Sequence, residues 1–456
     1  QHIHQPTIKK VTTQIDLYPE EQSYTVAGEY VLKNTHRKPI DSMLITVPEE
    51  MEIVSLVYAY GNEKVKIEDH VSELIVNRPI QPQDSATLMF EIAYKWQAIN
   101  GHHPFNAIVE DGSFLRISRY FPRFGYDEAR ELSDVHLRKT HGLGKSTELR
   151  KLEALKEIKD DAVDLTMQIS TPENQIAIGT GALTKQWQVD GRRYYEYTAK
   201  SIPFRFALSS GAYKRKSVEH NNINITVYHH PLHKNNVEHL LENTKLTLDY
   251  CAENFGPYPF KSITYSEVSS FTQGFAGTAY PGTIFMTEHM TFNANLNAAD
   301  NQDVVNELAG HEVAHFWWGT NQIVPDLREG YSMLTESLAM YTEMMIYKKM
   351  YGKEKMKERL AIHQQIYDAE KGLHVKKSLL EVAPGDTYLA YSKGALVFVR
   401  LSELIGEHQL NRALKSFLEK NKYPNARPIS LDLLEEILAV SDTADHAQIK
   451  SLFGRN

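Results

Sequence analysis

His311, Glu312 and His315 stand together in the run "GHEVAHFWWG", residues 310–319. Residues four apart on a helix project from one face about one turn apart, so both imidazoles can reach one small cation. Glu312 falls between them, placed to act as a base beside that cation. Two histidines and a glutamate in this H-E-x-x-H order are the pattern of zinc paired with a carboxylate general base. A catalytic zinc site takes three protein ligands and leaves the fourth position open. The next stretch, "SMLTESLAMYTEMMIYKKMYG" (332–352), offers two carboxylates for the third place. Glu336 sits among Leu334, Leu338 and Ala339, as suits a carboxylate facing inward. Glu343, flanked by Met344 and Met345, is the alternative, and Glu329 lies in a charged loop and suits the role less.

These groups need helices to carry them. "NQDVVNELAGHEVAHFWWG" reads as an amphipathic helix running from near Asn301 to Gly319. Helices are further expected over 235–256, 332–350, 391–405, 408–420 and 430–439, so the C-terminal third is mostly helical. Up to about residue 230 the pattern is that of strands. "SYTVAGEYVLKN" (23–34), "SATLMFEIAYKW" (85–96), "AVDLTMQIST" (162–171) and "RRYYEYTAK" (192–200) concentrate β-branched and aromatic residues between turn-rich gaps. Asp190-Gly191 is a hairpin signal. A β-sandwich or saddle-like sheet domain is expected there. One interruption, residues 127–161, is dense in both signs of charge and has a weak helical period at Leu149, Leu152 and Leu155; it reads as a solvated surface excursion. "FKSITYSEV" (260–268) reads as a strand leading into a Gly-rich stretch.

The chain has 456 residues, of which 42% are hydrophobic and 24% charged, and its formal charge is −8. That balance gives no reason to expect nucleic acid as a partner. A lone cysteine, Cys251, rules out an internal disulfide framework. No segment approaches the ~20 apolar residues of a membrane span. The sequence begins Gln1-His2-Ile3, with no initiator Met and no signal peptide, so a fragment of a longer protein is expected.

Four ordered segments resemble the zinc aminopeptidases related to aminopeptidase N, a gluzincin group. "MLTESLAMY" is similar to the segment that carries that family's ligand Glu, which places the third ligand on Glu336. "ENFGPYPFKSITYSEV" (253–268) is similar to its strand entering the catalytic domain, and "RYFPRFGYDE" (119–128) to its R-x-FP segment. "YLAYSKGALVFVRL" (388–401) resembles its Y-x-KG helix, which implies that Tyr391 is the catalytic tyrosine. The resemblance implies one Zn²⁺ per chain, a peptide substrate, and a multidomain fold. That fold comprises an N-terminal β-sandwich or saddle domain (1–217, with the insertion 127–161), a thermolysin-like α/β catalytic domain (218–350) and a helical C-terminal segment (351–456), truncated relative to the family's longer helical domain.

The chain departs from the family in three places. The gap between His315 and Glu336 spans residues 316–335, twenty where the family has eighteen, and "PDLREGYS" is where the extra loop residues belong. The family's G-x-M-E-N motif, whose Glu holds the substrate's free amino group, is replaced by "GFAGTAYPGTIFM" (274–286), with Ala279 and Tyr280 at the Glu and Asn positions. A second amine-binding carboxylate would fall on Ser113. Substitute groups near the altered loop are Glu267, Gln273 and Glu288. "HHPLH" (229–233) reads as a Pro-interrupted surface turn rather than a second metal set. "AYPGTI" (279–284), "FPRFGYDEARELSD" (121–134) and "LTESLA" (334–339) are in turn similar to the peptidase domain of bacterial fusions between an ABC transporter permease and this family. That likeness implies a membrane-embedded parent with this domain outside the cytoplasm. The expected activity is that of a zinc metallopeptidase of aminopeptidase type. Cleavage of internal bonds or blocked N-termini is the first alternative, and a non-hydrolytic peptide-sensing domain coupled to a transporter the second.

Overall fold

The computed structural model describes residues 4–68, 72–96, 105–127, 131–132, 134–156, 160–270, 275–296 and 302–454. In the N-terminal part an eight-stranded sheet runs, edge to edge, through Ala182–Val189, Arg192–Ile202, Val163–Pro172, Thr7–Tyr18, Ser23–Lys33, Ser85–Lys95, Glu52–Tyr60 and Glu63–Lys66. All the pairings are antiparallel except Thr7–Tyr18 against Val163–Pro172. Alternation produces this sheet: in Thr7–Tyr18 the residues Val11, Ile15 and Leu17 turn into the core while Lys10 and Gln14 stay out. Asp190 and Gly191, at φ 49° and 73°, close the hairpin read from the sequence. A three-stranded and a four-stranded sheet complete this region, the latter made of Ile176–Gly179, Leu208–Gly211, Ser113–Leu115 and Asn106–Ala107.

The site rests on a second α/β unit whose sheet strands we number β1 (Lys214–His220), β2 (Ile223–His229), β3 (Ser262–Val268), β4 (Gly277–Tyr280) and β5 (Thr283–Thr287). Their spatial order is β1-β2-β3-β5-β4. The β2–β3 and β3–β5 pairs are parallel, and the edge strand β4 runs antiparallel to β5. Pro281-Gly282 makes the tight turn between β4 and β5, with Gly282 at φ 71°. The expected boundary at 217/218 falls inside β1. Helices follow: α1 (Val237–Asn254), α2 (Val304–Ala314), α3 (Leu338–Tyr351), α4 (Lys353–Glu370), α5 (Gly394–Leu404), α6 (Glu407–Lys420), α7 (Ser430–Val440) and α8 (His446–Phe453). α4 and α8 were not expected from the pattern. One continuous core joins this sheet to the helices on both sides of residue 351, from Ile225 and Tyr265 to Phe417 and Phe453.

Two expectations need correction. α2 ends at Ala314, not Gly319, because the chain tightens into i→i−3 bonds, Phe316 N–H to Val313 at 3.1 Å and Trp317 N–H to Ala314 at 2.9 Å, and Gly319 takes φ 95°. The segment around 150–156 is neither helical nor a free excursion. It holds turns rather than a helix, Leu152 is buried in the catalytic core, and Leu155 is 91% exposed. Arg328, itself fully buried, donates to the carbonyls of Leu152 at 3.1 Å and Leu155 at 3.0 Å and also binds that of Ala154. Arg150 pairs with Asp326, and Lys151 with Glu329 at 2.8 Å. The inserted segment therefore straps onto the loop "PDLREGYS", the same loop that carries the extra residues between the two ligand-bearing helices.

Candidate metal centre and cleft

α2 brings His311 and His315 to one side as expected, with ring centroids 4.9 Å apart. Asp303 caps its N-terminus, accepting from the Asn306 amide at 3.0 Å. Glu336 lies on a π-helical turn, Met333–Ser337, that opens α3, and Tyr391 on another, Leu389–Lys393, that opens α5. Such turns displace one residue from α-helical register and recur at functional sites. The two turns pack directly on each other. Ser337 Oγ donates to the Ala390 carbonyl at 2.6 Å, and a Cβ on Gly394 would meet Ser337 Oγ at 2.4 Å. Gly394 is therefore required to keep Glu336 and Tyr391 side by side.

One carboxylate oxygen of Glu336 stands 3.3 Å from His311 Nε2 and 3.6 Å from His315 Nε2. A tetrahedron with metal–ligand arms of ~2.0–2.1 Å has edges of about 3.4 Å, so the three donors fit zinc. The other imidazole nitrogens are occupied: His311 Nδ1 faces Glu343 at 3.3 Å, and His315 Nδ1 faces the Trp318 carbonyl at 2.9 Å. Holding Nδ1 in this way aims Nε2 at the space the three donors enclose. Glu343 is thus not a ligand but the group that orients one, and Arg359 backs it at 3.3 Å. Burial opposes charge on His311, but Glu336 and Glu343 raise its pKa to about 10. Burial likewise opposes charge on Glu336, and His315 and His311 outweigh it, holding its pKa at about 2. The carboxylates around the imidazoles thus make this space favour positive charge.

Burial raises the pKa of the Glu312 carboxyl, which suits a proton carrier. Glu312 Oε2 is buried with no hydrogen-bond partner, a free acceptor of the kind a bound water would satisfy. A Cβ on Gly277 would lie 2.8 Å from Glu312 Cγ, so only glycine lets β4 pass this close to the base. The Tyr391 ring stacks on His311 with centroids 5.5 Å apart, and its hydroxyl hydrogen-bonds Glu336. Burial, and then Glu336, raises the Tyr391 pKa, so the phenol stays protonated and able to donate.

These groups open into a cleft of about 510 Å³ lined also by Arg116, Arg205, Phe275, Gly277, Thr278, Ala279 and Tyr331. Among the described residues β4 pairs only with β5, so its outer edge is open beside the cleft. Ala279 lines the cleft, whereas Tyr280 is buried behind it. Glu267 does not reach the cleft. It accepts from the His230 amide at 2.7 Å and pairs with His233. The expected surface turn "HHPLH" thereby brings His233 within 4.8 Å of Glu267 and Glu288, a second cluster of metal-type donors. Gln273 lies outside the described residues. The second amine-anchor position, Ser113, is fully buried and bonds the carbonyl and amide of Val109 at 2.7 and 3.0 Å. Arg116 and Arg205 were missed from the sequence, because neither sits in a motif and each reaches the cleft from the N-terminal region.

Residues 239–455 match the family model described as the Peptidase family M1 domain. The human glutamyl aminopeptidase is 21% identical over 275 residues, covering 58% of this chain and 28% of that protein. Aminopeptidase M1-D of Oryza sativa subsp. japonica is 23% identical over 205 residues, 43% of this chain and 22% of its own length. The chain thus spans about a quarter of the length of these curated relatives. Among solved structures, an M1 zinc metallopeptidase from Deinococcus radiodurans superposes with a TM-score of 0.68 at 14% identity, covering 99% of this chain and 94% of its own. A mutant of it bound to a Tyr-Ser-Ala substrate gives 0.66 at 13%, covering 98% and 94%. This chain thus resembles an M1 peptidase domain over residues 239–455, just under half of its length. Its fold has an N-terminal β-rich part, a central catalytic part and C-terminal helices.

Proposed function

We propose that this chain is a zinc-dependent aminopeptidase acting on short peptides, with a grip on the substrate's free end that differs from the usual one. The observation that carries the reading is the convergence of His311, His315 and Glu336 on one donor cluster, with Glu312 and Tyr391 facing the same space. His311, His315 and Glu336 would hold the ion. Zinc bound there supplies Lewis acidity and acidifies water. Glu312 takes the proton of the attacking water and passes it to the leaving amine. The Tyr391 phenol donates to the oxyanion that develops on the scissile carbonyl. The open edge of β4 offers amides and carbonyls to an extended peptide, as a sheet edge does in strand addition.

A second reading, cleavage of internal bonds or blocked N-termini, is favoured by one observation. Apart from Glu312 and Glu336, no carboxylate is among the described residues lining the cleft. The deciding experiment is hydrolysis of one peptide series, free and N-acetylated, by zinc-loaded protein. Cleavage of free peptides alone supports the aminopeptidase. Equal or preferential cleavage of the acetylated series replaces it with the second reading.

The likeness to permease fusions supports a further part of the reading, that the parent is membrane-embedded and displays this domain outside the cytoplasm. None of the described helices is long and apolar enough to cross a membrane. We carry 1–217, 218–350 and 351–456 as working limits of the three parts, and one Zn²⁺ per chain as the working stoichiometry.

A further inference from the structure

The charge at the far end of the cleft is inverted relative to what a free amine needs. Where a carboxylate would receive an ammonium group, β4 presents Ala279, and two guanidinium groups look into the cleft instead. Arg205 is exposed, and its Nη2 donates to Thr278 on β4 at 3.2 Å while its guanidinium lies 4.5 Å over the Tyr280 ring. Arg116 is half-buried, with its guanidinium 3.8 Å over Phe105 and 5.4 Å from the Phe275 ring. Its Nε is buried without a hydrogen-bond partner. Neither guanidinium is ion-paired to a carboxylate among the described residues. Burial lowers the Arg116 pKa to about 10, with Arg205 adding like-charge repulsion, and Arg116 remains a cation at neutral pH. Two ring-stacked guanidiniums facing one cleft, with no carboxylate partner among the described residues, are the arrangement that receives a carboxylate through paired N–H donors.

We propose that Arg116 and Arg205 bind a carboxylate carried by the substrate on the N-terminal side of the scissile bond. The inference rests on the peptidase reading above and names its substrate class: peptides with an acidic group at or near the amino end. That group is either the side chain of a first Asp or Glu or the free carboxylate of a dicarboxylic blocking group. The same cations, next to a bound metal, disfavour a first Lys or Arg.

The test is kcat/KM of zinc-loaded protein on peptides that differ only at the amino end: Glu-, Ala- and Lys-initiated free peptides, and N-succinyl- and N-acetyl-Ala peptides. The Glu- or the succinyl-peptide is expected to exceed its neutral counterpart by roughly 10- to 100-fold, the worth of a hydrogen-bonded charge. Which of the two leads identifies the source of the carboxylate. Arg205→Ala and Arg116→Ala should raise KM for the acidic substrates more than for the neutral ones, and Arg205→Glu should shift preference toward Lys. Binding of the same peptides to zinc-loaded Glu312→Gln protein, read by calorimetry, separates recognition from turnover. Absence of hydrolysis with selective binding of acidic peptides would overturn the peptidase reading and leave this one standing. Equal affinity for acidic and neutral peptides, or variants that weaken every class alike, would overturn this one.

Discussion

At the residue scale, the two histidines, Glu336 and Tyr391 are each held by a neighbour while Glu312 Oε2 is left free, and that difference makes the roles separable. Glu312 is not within the donor triangle of His311, His315 and Glu336, so Glu312→Gln should retain metal and lose turnover by roughly 10²–10⁴-fold. Metal content by elemental analysis beside kcat checks this; undiminished activity would remove Glu312 as the base. Glu343 acts one step further out, through His311 Nδ1. Glu343→Gln should weaken zinc binding by about 10–100-fold while activity returns in excess zinc. A chelator-competition titration measures the first part, and failure of added zinc to restore turnover would argue for a larger disruption. The ligand pair and base were legible because they occupy one short helical run, and Glu336 because its apolar flanks and motif agree. Glu343 was legible only as a carboxylate of the right helix. That it orients His311 is set by how α3 packs against α2, a tertiary contact that the period of one helix does not reveal. Arg116 and Arg205 were not legible, since they meet the cleft by tertiary approach.

At the element scale, the helix that carries the histidines is anchored by its N-terminal cap. Asp303 accepts from the Asn306 amide and also binds His239 Nε2 at 2.5 Å and the Tyr351 hydroxyl. Burial alone would raise the Asp303 pKa, but the bonds from His239 and Tyr351 hold it below its ordinary value. The bond to Asp303 raises the His239 pKa above its ordinary value, against a smaller effect of burial. A raised histidine stabilises the fold fully below its unfolded pKa of about 6.5 and loses that contribution as pH rises through the folded value. A depressed aspartate stabilises above its unfolded pKa of about 3.9 and loses the contribution as pH falls through the folded one. The pair is therefore worth most between those limits, near pH 4–6.5. His239→Gln should flatten the decline of Tm across the neutral range, measured by calorimetry from pH 5 to 8; an unchanged slope would show that the pair does not couple to folding. Five strands and most helices were legible from their periods, whereas Thr7–Tyr18, Glu52–Tyr60 and the cleft strands β4 and β5 were not singled out. α4 was not, because Met356 and His363 are its only buried residues and polar side chains surround them, leaving little amphipathic contrast.

At the scale of the whole molecule, two departures from the family pattern explain each other. The insertion after the R-x-FP-like segment and the lengthened loop between the ligand helices lie far apart in sequence; the first read as a surface excursion and the second as two extra loop residues. Together they form a clasp in which fully buried Arg328 is held by Asp326 at 2.9 Å and by backbone carbonyls of the inserted segment. Leu152 drives into the catalytic core beside it. The clasp grips the loop that leads to Tyr331, a cleft residue, and on to Glu336, so it links the N-terminal part to the placement of the third ligand. Arg328→Leu would leave three carbonyls without their donor and Asp326 with Arg150 alone, a loss of up to roughly 3–5 kcal/mol by the usual cost of breaking a buried ion pair. The expected signs are a lower Tm and faster amide exchange in residues 150–156 and 326–331, read by hydrogen-exchange mass spectrometry. Zinc affinity should fall with them, because the entropy of the freed loop must be repaid when Glu336 closes on the ion. Leu152→Ala removes apolar packing without touching a hydrogen bond and should reproduce the faster exchange at a cost of about 2–5 kcal/mol. If both variants lose stability with unchanged zinc affinity, the clasp supports the fold alone and the ligand loop is held by its own helix.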